Sequence, residues 1–486
     1  MQGEHMRLSP ILAGALALAL SACTVGPDYV RPDSHAPARF DAADAGAGDA
    51  IALAAPDAAF WTRFGDPALD ALVTRALAAN PDLRIALARH DRAEALLGGA
   101  RLDALPVVTA DAQAADIRSS ADQLPGVARD QRDTRSYEAG ASASWELDLF
   151  GRVRRTIEAQ RAESAAAAAD LAAAQVAIVG EVARTYVDLR GTQERLRVAR
   201  GNAANQRDTL RLVEARVDAG GGSEFDGARA RAQFETTTAR IPALEAQAAV
   251  DLHRLAALTG DAPDALREAL GDTAPLPALP ARLDAGTPGE LLRRRPDVAA
   301  AEARLHAATA RIGIATADLF PRFTLGGLIG TQAANTGALF ERDSETHLLA
   351  LGVDWSFLDV GHVRARIAAS GADAEAALAQ YRRTVLLALE ETSNALVRYA
   401  KTRAEDGHLE RAATDSAEAA RLARVRYEAG AASLLEVLDA ERTRLAAQDA
   451  FADARTRSIG GAVALYQAIA GGWPERAPGR ERIAQR

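Results

Sequence analysis

Residues 137–149 read Tyr-Glu-Ala-Gly-Ala-Ser-Ala-Ser-Trp-Glu-Leu-Asp-Leu. Apolar side chains alternate with small or polar ones, and a period of two is typical of a β-strand with one apolar face. Soon afterwards, residues 153–218 contain no proline. Because proline is the main helix breaker, this run can form one helix of about 100 Å, at 1.5 Å per residue. The sequence therefore predicts a strand that leads into a very long helix.

The same arrangement occurs again about 210 residues later, where an alternating segment at 349–357 precedes a proline-free run at 363–428. Without gaps, residues 81–109 and 296–324 share 12 identities in 29 positions at an offset of 215. Farther on the offset becomes 210, and it pairs Trp145 with Trp355. Alanine richness cannot place tryptophan, glycine and arginine in one register. The chain is therefore predicted to be a tandem repeat.

Each repeat is predicted to contain one β-hairpin followed by one antiparallel helical hairpin. Weaker alternation from Val107 and from Phe323 supplies the first strand of each β-hairpin. Gly220 and Gly430 interrupt the long helical runs, and glycine just past a helix end is a C-cap signal. Further helical runs follow at 224–258 and 434–469. Helices of this length exclude a compact globule and indicate a rod, a tube or a coiled coil.

Composition excludes several classes of protein. The 486 residues are 48% hydrophobic, which is enough to bury a core and argues against a disordered chain. A net charge of −9 argues against a nucleic-acid partner. The single cysteine excludes a disulfide framework and a cysteine-rich metal site. Metalloprotease, nucleophile-elbow and P-loop motifs do not occur, so we expect no enzyme, no catalytic residues and no metal site.

The N-terminus has the features of an export signal. Arg7 precedes an apolar run at residues 11–20, which is too short to cross a membrane as a helix. The following Leu-Ser-Ala-Cys resembles a bacterial lipoprotein box, in which Cys23 becomes the lipidated first residue. Apart from this covalent lipid, we expect no cofactor. The alternative is an ordinary signal peptide before a chance cysteine. The residue after the cysteine is Thr24 rather than the aspartate that resembles an inner-membrane retention signal, which favours an anchor in the outer membrane. Translation is expected to start at Met1 or Met6.

An outer-membrane location affects how the strands are interpreted. Residues 11–20 are expected to be the only long apolar run, and they are too short to span a membrane as a helix. Any membrane span is therefore expected to consist of strands. A soluble sheet packed on a core is the alternative, but one apolar and one small, polar face suits a barrel with a wet interior. Four strands cannot close a barrel, and open edges are not tolerated in hydrocarbon. Two copies give eight strands with a filled interior, whereas three give twelve and can leave a lumen. Small residues favour the lumen: Gly140, Ser142, Gly352 and Ser356.

Further motifs give the chain a family resemblance. These motifs are Cys23-Thr24-Val25-Gly26-Pro27-Asp28-Tyr29-Val30-Arg31-Pro32, Phe60-Trp61, Asp66-Pro67-Ala68-Leu69, Leu291-Leu292-Arg293-Arg294-Arg295-Pro296-Asp297-Val298-Ala299-Ala300-Ala301-Glu302, Ala317-Asp318-Leu319-Phe320-Pro321, Arg426-Tyr427-Glu428-Ala429-Gly430 and Leu435-Glu436-Val437-Leu438-Asp439-Ala440. With them the chain resembles the TolC-type outer-membrane efflux ducts, in the lipoprotein branch of NodT/OprM-like outer-membrane factors of RND-type tripartite multidrug pumps. The resemblance extends from Cys23 to about Trp473.

The resemblance implies a mainly α fold with a membrane β-barrel, in which a homotrimer forms a twelve-stranded barrel and a twelve-helix periplasmic tunnel. It implies a lipid-anchored outer-membrane exit duct that passively conducts drugs and other small molecules. The implied partners are outer-membrane lipid, a periplasmic adaptor (membrane fusion protein) and an inner-membrane RND-type transporter. A type I protein secretion duct is the alternative within transport. A non-transporting structural helical lipoprotein is the alternative of another class, but it would not need the strand hairpins.

The resemblance also assigns residues near the helical tips. Gly220 and Gly430 are expected at the periplasmic tip turns. Acidic residues just past the second tip form a ring at the closed aperture in the family, and the matching residues here are Glu436 and Asp439, with Asp226 in the first repeat. A solvated helix face is the alternative for all three. The family can carry a basic residue that helps close the aperture, but that position is alanine here (Ala432), so Arg424 or Arg426 is expected to replace it.

The predicted organisation runs from a lipoprotein signal peptide to a short tail. It comprises the signal peptide at 1–22, a lipidated extension at 23–65, a first repeat at 66–260 (β-hairpin about 105–149, helical hairpin about 152–260), an equatorial linker at 261–287, a second repeat at 288–473 (β-hairpin about 320–358, helical hairpin about 362–470) and a tail at 474–486.

Overall fold

The computed structural model describes residues 24–34, 36–40, 51–52, 59–280, 282–284 and 286–470. The predicted signal peptide, Cys23 and the predicted tail lie outside the described residues. The chain divides into two compact units. The sheet unit contains the described residues of Met1–Pro32 with His90–Ala167 and Ala300–Tyr381. The helical unit contains those of Asp33–Arg89, Ala168–Ala299 and Arg382–Arg486.

The described residues form six strands and ten α-helices. The strands are β1 (Ile51–Ala52), β2 (Val107–Arg118), β3 (Asp133–Leu147), β4 (Leu283–Asp284), β5 (Arg322–Ala333) and β6 (Glu345–Asp354). The helices are α1 (Pro67–Ala79), α2 (Pro81–Leu102), α3 (Arg152–Asp218), α4 (Glu224–Thr238), α5 (Arg240–Leu258), α6 (Arg267–Leu270), α7 (Pro288–Arg294), α8 (Pro296–Ala317), α9 (Val360–Glu428) and α10 (Leu434–Ala468).

The sheet unit contains a four-stranded antiparallel sheet with the order β2-β3-β5-β6. On one face, Trp145 lies opposite Leu325, which in turn lies opposite Leu351. On the other face, Ser142 lies opposite Thr109, and their hydroxyl groups are 2.8 Å apart. Because alternate residues of a strand lie on opposite faces, the register places apolar side chains together on one face, as the alternation predicts.

The five-residue change of repeat offset falls within the β-hairpins. The first strands, β2 and β5, begin 215 residues apart, at Val107 and Arg322. Trp145 of β3 and Trp355, which directly follows β6, are 210 residues apart. The connection between the two strands is therefore shorter in the second repeat. The alternation predicted a strand as far as Phe357, but β6 ends at Asp354.

The two long helices, α3 with 67 residues and α9 with 69, occupy the proline-free runs. Among the described residues, α3 alone is long and apolar enough to cross a membrane by length and composition. This corrects the expectation that residues 11–20 were the only long apolar run, because the alanine-rich part of α3 is another. A single helix of this kind is weak evidence for a membrane span, because a packed helix of a soluble protein passes the same test, and α3 buries Ala162 and Ala166.

The return helix of the first helical hairpin is broken, although a continuous run over 224–258 was expected. Helix α4 ends at Thr238 and α5 begins at Arg240. Pro242 explains the break: its nitrogen cannot donate to the carbonyl of Thr238, and its ring clashes with that carbonyl in a continuous helix. Ala452 occupies the matched position in the second repeat, where α10 continues through 35 residues.

The core of the helical unit closes the base of both helical hairpins. Phe60 stacks on Tyr466 at 4.7 Å, and Tyr186 donates a 2.7 Å hydrogen bond to Asp66, the N-cap residue of α1. The residues that precede Pro81 and Pro296 form hydrogen bonds with the ends of the return helices. Asn80 donates to the carbonyl of Leu258 at 2.9 Å, and Arg295 donates to that of Ala468 at 2.8 Å. Burying these donors would be unfavourable without such partners.

Candidate functional site

The two helical hairpins reverse direction through identical glycine turns. Gly220 has a φ of 73° and Gly430 a φ of 75°, in the left-handed region where side chains are strained. At the first tip, the Gly220 and Gly221 amides donate to the carbonyls of Val217 and Arg216. At the second, the Gly430 and Ala431 amides donate to those of Tyr427 and Arg426. Both turns are therefore Schellman motifs, which satisfy the last carbonyls of α3 and α9.

A serine caps the helix that follows each turn. Ser223 and Ser433 each accept a hydrogen bond from the amide three residues on. The carboxylates of Asp226 and Glu436 bind back to the serine amides, at 3.4 Å and 3.1 Å. These capping boxes satisfy two free amides at each helix start. The sequence shows this signal as Ser-x-x-Asp at 223–226 and Ser-x-x-Glu at 433–436, so both acids cap helices as well as being aperture candidates.

The three predicted aperture carboxylates lie near the starts of the two helices that follow the turns. Glu436 and Asp439 are both exposed on the first turns of α10, and Asp226 is half-buried at the start of α4. The Ser433 amide and hydroxyl lower the pKa of Glu436, so this carboxylate stays ionised. Asp439 forms a 2.6 Å ion pair with Arg442 on its own helix. Each carboxylate therefore has a partner within its own helical start.

Large apolar side chains are exposed beside both turns. Phe225 and Leu435 each occupy the second position of the helix after the turn, at an offset of 210, and both are exposed. Between the hairpins, a small apolar cluster is buried, formed by Val213, Ala230, Tyr427, Leu434, Val437 and Leu438. The guanidinium of Arg216 lies 4.2 Å from the ring centre of Tyr427, so the two tips are in contact within one chain.

A buried polar network lies one to three turns from the second tip. Arg424 of α9 donates to Thr209 of α3 at 2.7 Å and forms a 3.2 Å ion pair with Glu441 of α10. Glu441 is 2% exposed. Burial raises the pKa of Glu441 against the opposing charges of Arg424 and Arg444, and burial lowers the pKa of Arg444. The network thus joins three helices, and sequence analysis missed Glu441 although it named Arg424.

Arg426, the other basic residue expected to replace Ala432, stays within its own turn. It donates to the carbonyl of Ala431 at 3.3 Å and lies 3.9 Å from Glu436. Ala432 itself is half-buried against the apolar cluster. Of the two candidates, only Arg424 connects the second helical hairpin to α3. In the part of the chain that the structure describes, no group of three or more His, Cys, Asp or Glu residues is arranged to hold a metal ion.

Paired helical hairpins of this length, combined with a four-stranded sheet that has one apolar face, define a class of outer-membrane channel. The family described as "Outer membrane efflux protein" matches residues 72–261 and 287–471. The chain belongs to this family. Its fold is that of a TolC-like outer-membrane channel, which confirms the predicted fold class and family.

Individual relatives agree over nearly the full length. Outer membrane protein OprJ of Pseudomonas aeruginosa is 34% identical over 485 residues, covering 97% of both chains. The pyoverdine export outer membrane protein OpmQ of the same species is 33% identical over 477 residues, covering 96% of this chain and 97% of its own. The structure of the outer-membrane channel OprN superimposes with a TM-score of 0.86 and 42% identity over 93% of this chain and 100% of its own. The protein is therefore an outer-membrane efflux channel.

Proposed function

We propose that this channel is a homotrimer and serves as the passive exit duct of a tripartite efflux pump. The four-stranded sheet carries this proposal. Within the described residues, the outer edges of β2 and β6 pair with no further strand, and β6 exposes Leu349 and Leu351. Unpaired edges are not tolerated in hydrocarbon, so neighbouring copies must complete the sheet. Three copies supply twelve strands, which can enclose a lumen.

The assembly is tested by native mass measurement in mild detergent, followed by recordings in planar bilayers. We expect one species near three times the chain mass of 51.0 kDa, less the signal peptide and plus the lipid, with single-channel conductance. A monodisperse monomer that inserts and conducts would contradict the proposal, because four strands would then suffice.

The cargo is inferred to be small molecules that the partner pump selects. OpmQ is described as exporting pyoverdine, and its sequence is 33% identical to this chain. The tips of the present chain contain capping carboxylates and exposed apolar residues rather than an enclosed substrate pocket. A duct of this kind has no catalytic step, and selectivity and energy come from the inner-membrane transporter. We also propose that a lipid on Cys23 anchors the channel in the outer membrane and that a periplasmic adaptor connects it to the transporter.

The helical tips are the proposed docking surface for the periplasmic adaptor. Gly220 and Gly430 lie in open turns, with Phe225 and Leu435 exposed beside them. The substitution Gly430→Val is expected to weaken adaptor capture and drug export, because a β-branched residue in the left-handed region costs roughly 1–3 kcal/mol and distorts the turn. The matched control is Gly407→Val, at a glycine within α9 that also has open space around it. Export that is equal in the two variants at equal protein levels would contradict the docking role.

The closed state is proposed to depend on the buried network of Arg424, Thr209 and Glu441. The hydrogen bonds and the ion pair of this network connect α9 and α10 of the second helical hairpin to α3 of the first. Glu436 and Asp439 are proposed to line the aperture when three chains assemble, and Asp226 to lie at the matching place in the first repeat. Six carboxylates from the first two residues would then favour cations in the resting channel.

A further inference from the structure

The residues that follow Cys23 are held tightly against the sheet unit. We call residues 24–31 the N-terminal clasp. The amide of Val25 donates to the carbonyl of Phe150 at 3.2 Å. Gly26 packs so closely on Gly313 of α8 that an added Cβ would lie 2.4 Å from the Gly313 Cα. Gly26 also has a φ of 88°, so only glycine fits here without strain. The clasp is therefore a fitted segment of the fold.

Arg155, near the start of α3, binds the middle of the clasp. Its side chain is 4% exposed. One Nη donates to Asp28 at 2.7 Å, and Nε donates to the carbonyl of Val25 at 3.3 Å. The other Nη donates to Glu158 at 2.8 Å. Burial would lower the pKa of Arg155, but the hydrogen bonds to Glu158 and Asp28 outweigh this, so it stays charged. A buried guanidinium needs such partners, and the clasp supplies several of them.

The end of the clasp binds α8 of the second repeat. Tyr29 stacks on His306 with ring centres 4.4 Å apart, and its hydroxyl donates to Glu302 at 3.3 Å. Arg31 forms a 2.8 Å ion pair with the same Glu302. Burial and the charge of Glu302 raise the pKa of Tyr29, so the phenol remains a donor. The clasp thus joins α3 of the first repeat to α8 of the second.

The start of the clasp lies among aromatic residues at the ends of the strands. Phe150 stacks on Phe320 at 4.6 Å. Trp145 and Trp355 donate 3.0 Å hydrogen bonds to carbonyls that follow the preceding helices, those of Ala104 and Leu319. Aromatic residues of this kind mark the membrane–water interface in transmembrane barrels. An added Cβ on Gly151 would lie 3.0 Å from the Cα of Thr24, so the residue after Cys23 touches the strand-to-helix junction.

We propose that the clasp site positions the lipid anchor: it holds Thr24 at the strand-to-helix junction, so that the acyl chains attached before Thr24 and the strands enter the membrane at the same depth. Arg155 is the main positioning residue, and Tyr29 is the second. Thr24 lies against Gly151 and is joined directly to the cysteine that is proposed to carry the lipid. The inference rests on the proposed lipidation of Cys23, and the experiment separates the two.

The experiment attaches a nitroxide to Val30→Cys in the full-length protein. Val30 is 78% exposed, so the label does not displace a clasp contact. The chain has one natural cysteine, and an acylated Cys23 has no free thiol to label. Wild-type protein is therefore expected to take no nitroxide. If it takes one per chain, the lipidation proposal fails, while the binding of the clasp can still be measured in a Cys23→Ser background.

We expect the Val30→Cys label to be immobilised when the clasp is bound. Arg155→Met is expected to convert the spectrum to a mobile one and to reduce the amount of channel in the outer membrane, with fatty-acid labelling unchanged. Tyr29→Ala, which leaves α3 intact, is expected to give the same shift to a smaller extent. Arg161→Met, at an exposed arginine on the same helix, is the matched control and keeps the immobilised spectrum. Immobilised spectra in both Arg155→Met and Tyr29→Ala would overturn the proposal, as would a mobile label without any change in outer-membrane level.

Discussion

The two helical hairpins share one kind of turn but differ in what holds their return helices. In the first, Glu214 on α3 faces Arg231 on α4 at 3.6 Å, and both side chains are about half exposed. At the matched positions of the second, the charges are reversed: Arg424 on α9 faces Glu441 on α10 at 3.2 Å, and Glu441 is buried. Both repeats thus have an ion pair at the same position, but the acidic and basic residues exchange helices, and the two pairs differ greatly in burial.

The difference arises because α3 packs against the second pair. Thr209 and the carbonyl of Asn205 both accept from one Nη of Arg424, so α3 covers the second pair and Glu441 is buried. The first pair has no such cover and faces solvent. Exposed pairs contribute little to stability, whereas removing one partner of a buried pair is strongly destabilising. The second helical hairpin is therefore the one whose position depends on charge.

The largest expected effect comes from removing the charged partner in the second helical hairpin. Arg424→Met leaves Glu441 buried with only the charge of Arg444 opposing its own, and breaking a buried pair costs about 3–5 kcal/mol. We expect a lower unfolding midpoint in urea and a larger resting conductance in planar bilayers. Arg231→Met is the matched variant, and the loss of its exposed pair is worth about 0–1 kcal/mol. Equal effects of the two substitutions would show that burial does not distinguish the hairpins.

A proline exchange tests the second difference between the hairpins. Ala452→Pro places in α10 the residue that breaks the first return helix, and proline in a helix interior costs about 3 kcal/mol. We expect a fall in helical circular dichroism and reduced export. The reverse variant, Pro242→Ala, is expected to change stability little and to increase amide protection around Thr238, because the helix can then continue. Unchanged amide exchange in Pro242→Ala would mean that packing, rather than proline, breaks the helix.

The smallest expected effect on stability comes from neutralising the second tip. Glu436→Gln with Asp439→Asn removes two charges per chain while keeping side chains that can cap α10. We expect lower cation selectivity and loss of block by multivalent cations from the periplasmic side, because the proposed ring of six carboxylates at the aperture would lose its charge. Export of neutral drugs is expected to change little. Asp226→Asn is the matched variant at the first tip. Wild-type selectivity in the double variant would place these carboxylates away from the axis.

Local patterns predicted much of the fold. Gly220 and Gly430 predicted the positions of both turns, and the absence of proline predicted the lengths of α3 and α9. The alternation around Trp145 predicted which strand residues share the apolar face. The break at Thr238 could also have been predicted, because Pro242 is visible in the sequence and acts on the residue four before it. The two capping boxes were equally visible. These features depend on neighbours within four residues, which a single sequence displays.

The buried contacts could not be predicted in this way. Glu441 pairs with Arg424 and bonds with Thr209, which lies 232 residues away, and Arg155 bonds with Asp28, 127 residues away. Nothing in the spacing of these residues distinguishes them from the many exposed arginines and glutamates on the same helices. Their roles depend on which helix faces packed together, and burial then changed the energetics of the same charges.

The sequence by itself determined the repeat, the secondary structure of each half and the positions where the chain turns, because these follow from backbone geometry and local periodicity. Only the tertiary structure decided which of two matched ion pairs is buried, which of Arg424 and Arg426 contacts α3, and where the clasp binds. Those outcomes depend on the exclusion of water from particular surfaces, which is a property of packed helices rather than of residues in sequence order.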